Sequence, residues 1–153
     1  MNFRYVVNDD GSLSLWMQRR SLQKPTWPGR LDNFVAGGLS SGYSVRETVI
    51  KETEEEANLP RHIAERMQAA GCISIFFQSE RGIFPNTEFV FDIELPKDFV
   101  PNNNDGEVEE FMLVPAAELL DKICDSDFKT TSCPVTLDFL IRKGIVNFES
   151  GIV

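Results

Sequence analysis

Gly37 to Leu59 reads GGLSSGYSVRETVIKETEEEANL, and this stretch decides the fold and the chemistry. Glycine turns at Gly37-Gly38 and Gly42 lead into a segment carrying Glu52, Glu55 and Glu56. Offsets of three and four residues put those carboxylates on one face of a helix. Like charges so placed repel by about 0.2–0.5 kcal/mol per pair, and a bound cation offsets that cost. Oxygen-only ligands favour a hard ion, magnesium first and manganese as its substitute, and magnesium commonly arrives bound to a substrate's phosphates. An acidic run by itself marks a solvated helix face. The glycines before it let the backbone bend and approach a ligand closely, which points to a metal-dependent diphosphate site.

Ser44 and Glu47 form an S-x-x-E capping box, so the helix is predicted to start at Val45. Val45, Val49, Thr53 and Ala57 recur every four residues and supply a buried stripe beside the acidic one. Asn58 suits the left-handed residue that ends a helix, and Pro60 discourages continuation.

With those residues in place, the segment resembles the Nudix box, G-x5-E-x7-R-E-U-x-E-E-x-G-U, where U is aliphatic. Gly37 takes the first position, Lys51 the arginine, Glu52, Glu55 and Glu56 the three acids, and Leu59 the last position. Tyr43 stands where the first glutamate is expected, Thr53 replaces an aliphatic residue and Asn58 replaces the second glycine. Lys51 keeps the charge of the arginine but lacks the fork that pins a carboxylate. The resemblance implies an α/β sandwich with a mixed β-sheet between helical layers. It also groups Gly37 with the metal-binding glutamates.

Composition fits one compact domain over 1–153. The chain has 153 residues, 42% of them apolar, enough for a core. No apolar run approaches the ~20 residues of a membrane span. The first residues, MNFRYVVNDDGS, lack the pattern of a signal peptide. A net charge of −9 with no basic run argues against nucleic-acid binding. Cys72, Cys124 and Cys133 are odd in number and widely spaced, which suits reduced thiols in a cytoplasmic protein. Whether the protein is a homodimer stays open.

Along the chain, Phe3 to Val7 and Leu13 to Arg19 flank the turn Asn8-Asp9-Asp10-Gly11 and read as a hairpin. Leu31 to Ala36 is predicted as a strand entering the glycine turn. A second helix is expected from Pro60 to Ala69, and strands over Cys72 to Gln78 and Glu88 to Leu95, joined by a Gly82–Asn86 loop. Glu110 to Val114 reads as the last strand, and Pro115 to Ile123 and Pro134 to Lys143 as short helices. Mixed strands and helices predict a layered α/β domain.

Upstream of the glycines, Trp16 to Asn33 reads WMQRRSLQKPTWPGRLDN. Two prolines and a glycine end a strand in an ordered loop. Arg20 can meet phosphate oxygens through paired hydrogen bonds and Lys24 as a compact charge. Trp27 offers a face for a planar or cationic ring. The pattern R-S-x-x-K-x-T-W-P-G-x-x-x-N is similar to isopentenyl diphosphate isomerases, which implies a diphosphate grip by Arg20 and Lys24. The isomerase needs a cysteine shortly after the asparagine and histidine metal ligands. Phe34, Val35 and Ala36 follow Asn33 here, and the single histidine, His62, lies past the acidic helix.

A fuller match is the Nudix group associated with thiamine pyrophosphokinase. WPGRLDNFVAGGLSSG, the E-E-E-A run and DFLIRKG at Asp138 to Gly144 resemble that group. The resemblance implies hydrolysis of thiamine diphosphate or its oxidised forms to a monophosphate, with Arg20, Lys24, Trp27, Asn33 and Gly38 holding the substrate. The catalytic set expected is Glu52, Glu55, Glu56 and Glu107, with Gly37, Glu52, Glu55 and Glu56 at the metal. Glu107, Glu109 and Glu110 are the candidates for the general base; strand alternation points Glu107 and Glu109 one way and Glu110 the other, and Glu107 is favoured. Phe76, Phe77 and Phe84 are candidates to line a ring pocket. A hydrolase for another nucleoside diphosphate derivative, or a silent diphosphate-binding module, are the alternatives.

Overall fold

The computed structural model describes residues 1–34, 37–39, 41–103 and 106–147. Asn8, Asp9, Asp10 and Gly11 do form the first turn. The Asn8 amide donates to the Ser12 carbonyl at 2.8 Å, and Asp10 accepts from both the amide and the hydroxyl of Ser12. Gly11 stands at φ +80°, where a side chain is disfavoured. This turn joins β1 (Asn2–Val7) to β2 (Leu13–Arg20) in antiparallel register, Tyr5 opposite Leu15.

β2 is the hub of the sheet. β1 runs beside its first half, β3 (Leu31–Asn33) beside its second half, and β6 (Val108–Pro115) along its other edge. β1 then pairs in parallel with the end of β5 (Gly82–Glu94), and β5 pairs antiparallel with β4 (Gln68–Ser79) at the sheet edge. One parallel pair among antiparallel ones makes the sheet mixed, as expected.

Helices cover both faces. α1 (Val45–Ala57) and the short α2 (Arg61–Ala64) bury Val49, Ile50, Leu59, Ala64 and Met67 against Phe91, Ile93 and Leu95. α3 (Leu119–Cys124) and α4 (Cys133–Arg142) close the other face over Phe3, Leu15, Met17 and Val90, with Phe139 packed 4.8 Å from Phe3, ring to ring. The architecture is therefore an α/β sandwich.

The cap signals of α1 hold in detail. The Ser44 hydroxyl accepts from the Glu47 amide, the Glu47 carboxylate accepts from the Ser44 amide at 2.8 Å, and Asn58 ends the helix at φ 51°. Of the expected stripe, Val49, Thr53 and Ala57 are buried and Val45 half-buried, while Thr48, Ile50 and Glu56 join them.

Several expectations differ from the structure. The second helix stops at Ala64 rather than Ala69, because Gln68 and Ala69 pair across to Asp92 and Phe91 and sheet pairing overrides the helix preference of alanine. Gly82–Asn86 is strand, not loop: Ser79 pairs with Gly82, leaving Glu80 and Arg81 as a two-residue turn. Arg19 pairs with Glu110 and Arg20 with Val108, so a bulge at Glu109 breaks the alternation expected there, and Glu109 and Glu110 are both exposed. The strand at Leu31 extends to Asn33, and Val35 and Ala36 lie outside the described residues.

Candidate active site

The acidic helix presents its glutamates in three different settings. Glu52 is half-buried beneath the glycine turn, Glu55 is exposed, and Glu56 is buried. Gly37 lies so close to Glu52 that a Cβ there would stand 2.2 Å from its carboxyl carbon. A side chain at this position requires the Glu52 carboxylate to shift. Gly38, by contrast, faces open space. Lys51 reaches Glu55 across one helical turn at 2.7 Å, and that bond holds its ammonium above the usual lysine range.

Glu52 is the electrostatic centre of the group. Burial pushes its carboxyl above the usual carboxylate range, Lys51 opposes the shift, Glu55 and Glu107 add to it, and Lys24 opposes it again. Lys24 and Glu107 form an ion pair beside it. Four of the residues singled out by sequence therefore act on one another here, although Glu107 is some fifty positions from the helix in the chain. A divalent ion would offset the mutual repulsion among Glu52, Glu55 and Glu107, and the glycine cradle against Glu52 leaves backbone in place of a side chain. In donor chemistry the group fits a hard cation. As the side chains stand, no three His, Cys, Asp or Glu among the described residues converge on one point; Glu55 is turned to Lys51, and drawing it to a shared ion means leaving that partner.

The Arg20–Asn33 loop divides the remaining candidates. Arg20 is buried: its Nη1 donates to Asp32 at 3.1 Å, and its Nε and Nη2 donate to the Thr26 and Trp27 carbonyls. Asp32, fully buried, also accepts from Lys129 at 2.8 Å and from the Ser132 hydroxyl at 2.6 Å. Asn33 is buried too, accepting from the Thr136 hydroxyl at 2.9 Å. Arg20 and Asn33, expected from the sequence to touch substrate, have these polar groups engaged within the protein, tying the loop to β3 and β3 to α4. Lys24 and Trp27 remain at the surface side of the loop.

Trp27 stands at φ 52°, unusual for a bulky side chain, and is 36% exposed. It borders a cavity of about 500 Å³ with Phe77 and Phe84, whose rings stack at 5.1 Å and 14°. Phe76 points away, 73% exposed on the other face of the β4–β5 hairpin, and does not belong to this wall. A second cavity of about 390 Å³ lies against Gly37, Gly38 and the start of α1. Asn86 and Glu88 line both, so the aromatic cleft and the glycine turn adjoin. Sequence reading missed these two, as it missed Asp32; the period-two pattern of β5, once its start is moved to Gly82, sends Phe84, Asn86 and Glu88 to one face. His62 is exposed on α2.

An α/β sandwich with a capped acidic helix behind a glycine turn defines a recognisable class, and the comparisons agree. The NUDIX domain model matches residues 3–132, and the chain belongs to that family. It is 44% identical over 146 residues to "Nudix hydrolase 24, chloroplastic" of Arabidopsis thaliana, covering 94% of this chain and 40% of that protein. "Nudix hydrolase 20, chloroplastic" of the same plant is also 44% identical over 146 residues, covering 95% of this chain and 39% of its own length. The chain thus spans about two fifths of these curated relatives. Among solved structures, the NUDIX domain of Shewanella oneidensis NrtR, complexed with ADP ribose, superposes with a TM-score of 0.69 at 12% identity, over 95% of this chain and 85% of that one. At that identity the likeness concerns the fold.

Proposed function

We propose that the protein is a metal-dependent diphosphate hydrolase whose substrate carries an aromatic ring, a thiamine-diphosphate-like molecule or its oxidised form, and that it releases the monophosphate and phosphate. The observation that carries this reading is the adjoining of the two cavities: the Trp27–Phe77–Phe84 cleft suits a planar ring, and the glycine turn with the acidic helix lies one Asn86–Glu88 wall away.

In this reading Glu52, Glu55 and Glu56, with Gly37, hold magnesium, or manganese in its place. The bound ion supplies charge neutralisation at the phosphates and a more acidic water. Trp27 and the phenylalanines take the ring, and Gly38 gives the diphosphate room beside Gly37. Lys24 turns from Glu107 toward a phosphate oxygen as a mobile cation. Glu107 accepts a proton from the attacking water. The water oxygen joins one phosphorus, the bridging P–O bond breaks, and its electron pair leaves with the other phosphate.

A panel of diphosphates incubated with magnesium and assayed for phosphate release tests this. Thiamine-type diphosphates yielding a monophosphate plus phosphate support it. Faster turnover of a nucleoside diphosphate derivative assigns the cleft to another ring, and no turnover on any diphosphate leaves a binding module.

A further inference from the structure

Among the described residues the sheet has three outer strands, and they are finished differently. β3 is three residues long and is bridged at Leu31 by Phe128. β6 carries Glu109, Glu110 and a terminal Pro115, and is bulged opposite Arg19 and Arg20. Short length, charge, proline and bulges are the usual means by which an edge is kept from pairing. β4 has little of this. It runs for 12 residues, QAAGCISIFFQS, without an Asp, Glu, Lys, Arg or Pro, in a chain that is 25% charged. Its one irregularity, between Ala69 and Gly71, leaves Cys72 to Ser79 in continuous register with β5.

β5 lies on one side of β4, and no strand lies on the other among the described residues. No residue of β4 is buried, and Phe76 is its most open apolar side chain. Across the ladder Phe76 stands opposite Pro85, Gln78 opposite Ile83 and Cys72 opposite Phe89, and both Ile83 and Phe89 are exposed. One face of the hairpin is thus an apolar strip that ends at an open edge, and such a strip marks a place of interaction.

We infer that β4 is a self-association edge: it pairs antiparallel with β4 of a second copy about a two-fold axis at Phe76, joining the two sheets. Charge selects the occupant. A strand without charges offers nothing to a charged peptide, whereas pairing with itself sets no like charges opposite one another. One two-fold contact also covers both open edges at once. Residues equidistant from the axis share a face, so Phe76 meets its own copy and Phe77 meets the partner's Ile75. Phe77 borders the cavity beside Trp27, and its wall then continues into the second copy. The net charge of −9 on each chain lies outside β4 and opposes association at long range, so added salt should tighten the pairing.

Sedimentation velocity over a dilution series, in low and in physiological salt, tests this. Twice the mass of one chain is expected, with tighter association in the higher salt. Phe76→Lys sets two ammonium groups across the axis at an exposed position and should give a single chain, folded by circular dichroism. A wild type that sediments as one chain throughout overturns the inference, as does a dimer that loosens with salt or a Phe76→Lys variant that dimerises like the wild type. Cross-linking covers the case in which the lysine variant does not fold. With Cys72→Ser in place, Phe76→Cys should be joined to its copy by oxidised glutathione, two thiols giving two protons and two electrons to that reagent as the new disulfide forms. Ile83→Cys, on β5 and away from the axis, should not. Cross-linking through Ile83→Cys and not through Phe76→Cys means face-to-face stacking and overturns the edge pairing.

Discussion

The acidic helix and the loop before it use the same kinds of residue for opposite ends. On α1, charged side chains are kept unsettled: Glu52 is pushed toward its protonated form by burial and by like-charged neighbours, with two cations only partly relieving it. In the Arg20–Asn33 loop, charge is neutralised in place, as Asp32 gathers Arg20, Lys129 and Ser132 in full burial. Arg20 in the diphosphate-like motif is bonded to Asp32 and to the loop carbonyls, whereas Lys24, four residues on, lies nearer the surface. Strain concentrates where a network over-determines the backbone. Trp27 is held at positive φ by the loop that Arg20 braces, its own carbonyl accepting from Arg20 at 3.2 Å.

The largest expected effect falls on the brace. Asp32→Ala leaves Arg20 and Lys129 without their shared carboxylate, and breaking a buried ion pair in this way costs about 3–5 kcal/mol. Urea unfolding measures it, and a loss below about 1 kcal/mol, as for a surface pair, would erase the contrast drawn between the two regions.

Next comes the glycine cradle. Gly37→Ala places a methyl where the Glu52 carboxyl carbon would be 2.2 Å away, so Glu52 or the turn must move. Misplacement of about 1 Å at a reacting centre costs on the order of 10²-fold in rate. Diphosphate hydrolysis should fall by that factor with the melting temperature little changed. Retained activity would show that Glu52 tolerates displacement.

Trp27 sharpens the comparison by separating strain from binding. Trp27→Gly relieves a positive-φ residue worth about 1–3 kcal/mol, so stability should hold or rise. Loss of an aromatic pair worth about 0.5–1.5 kcal/mol should raise KM for ring-bearing substrates up to roughly tenfold, with kcat nearly constant. Steady-state kinetics beside thermal melts would show it, and an unchanged KM would remove Trp27 from the ring cleft.

The smallest effect is a pH signature. The Glu52 carboxyl is raised above its ordinary 4.5 in the folded state, so its contribution favours folding below about that pH and is lost as pH rises through the folded value. Glu52→Gln should therefore melt higher than the wild type at neutral pH, with the gain vanishing in acid. A gain independent of pH would point to packing instead.

How much of this was readable in advance follows the range of the interactions. The acidic helix is specified within its own span: Ser44 and Glu47 cap it and Asn58 ends it, although the spacing of its glutamates does not foretell their three different degrees of burial. The NDDG turn is equally local. By contrast, the role of Arg20 depends on Lys129 and Ser132, which meet Asp32 from 97 and 100 residues away, and no local pattern signals that meeting. Gln68 and Ala69 enter a strand only because Asp92 and Phe91 wait beside them. Arg4 sat in plain view as the one charge in the strand NFRYVV, yet its burial under Thr53 becomes evident only when α1 is laid across β1.

The claim that Glu52 and its neighbours form a metal-dependent hydrolytic centre is tested most directly by phosphate release from a diphosphate substrate, compared between wild type and Glu52→Gln with and without magnesium. Release that requires magnesium in the wild type and disappears in a folded Glu52→Gln is the expected result. Release that proceeds at equal rates in the variant, or equally well without the ion, would contradict it.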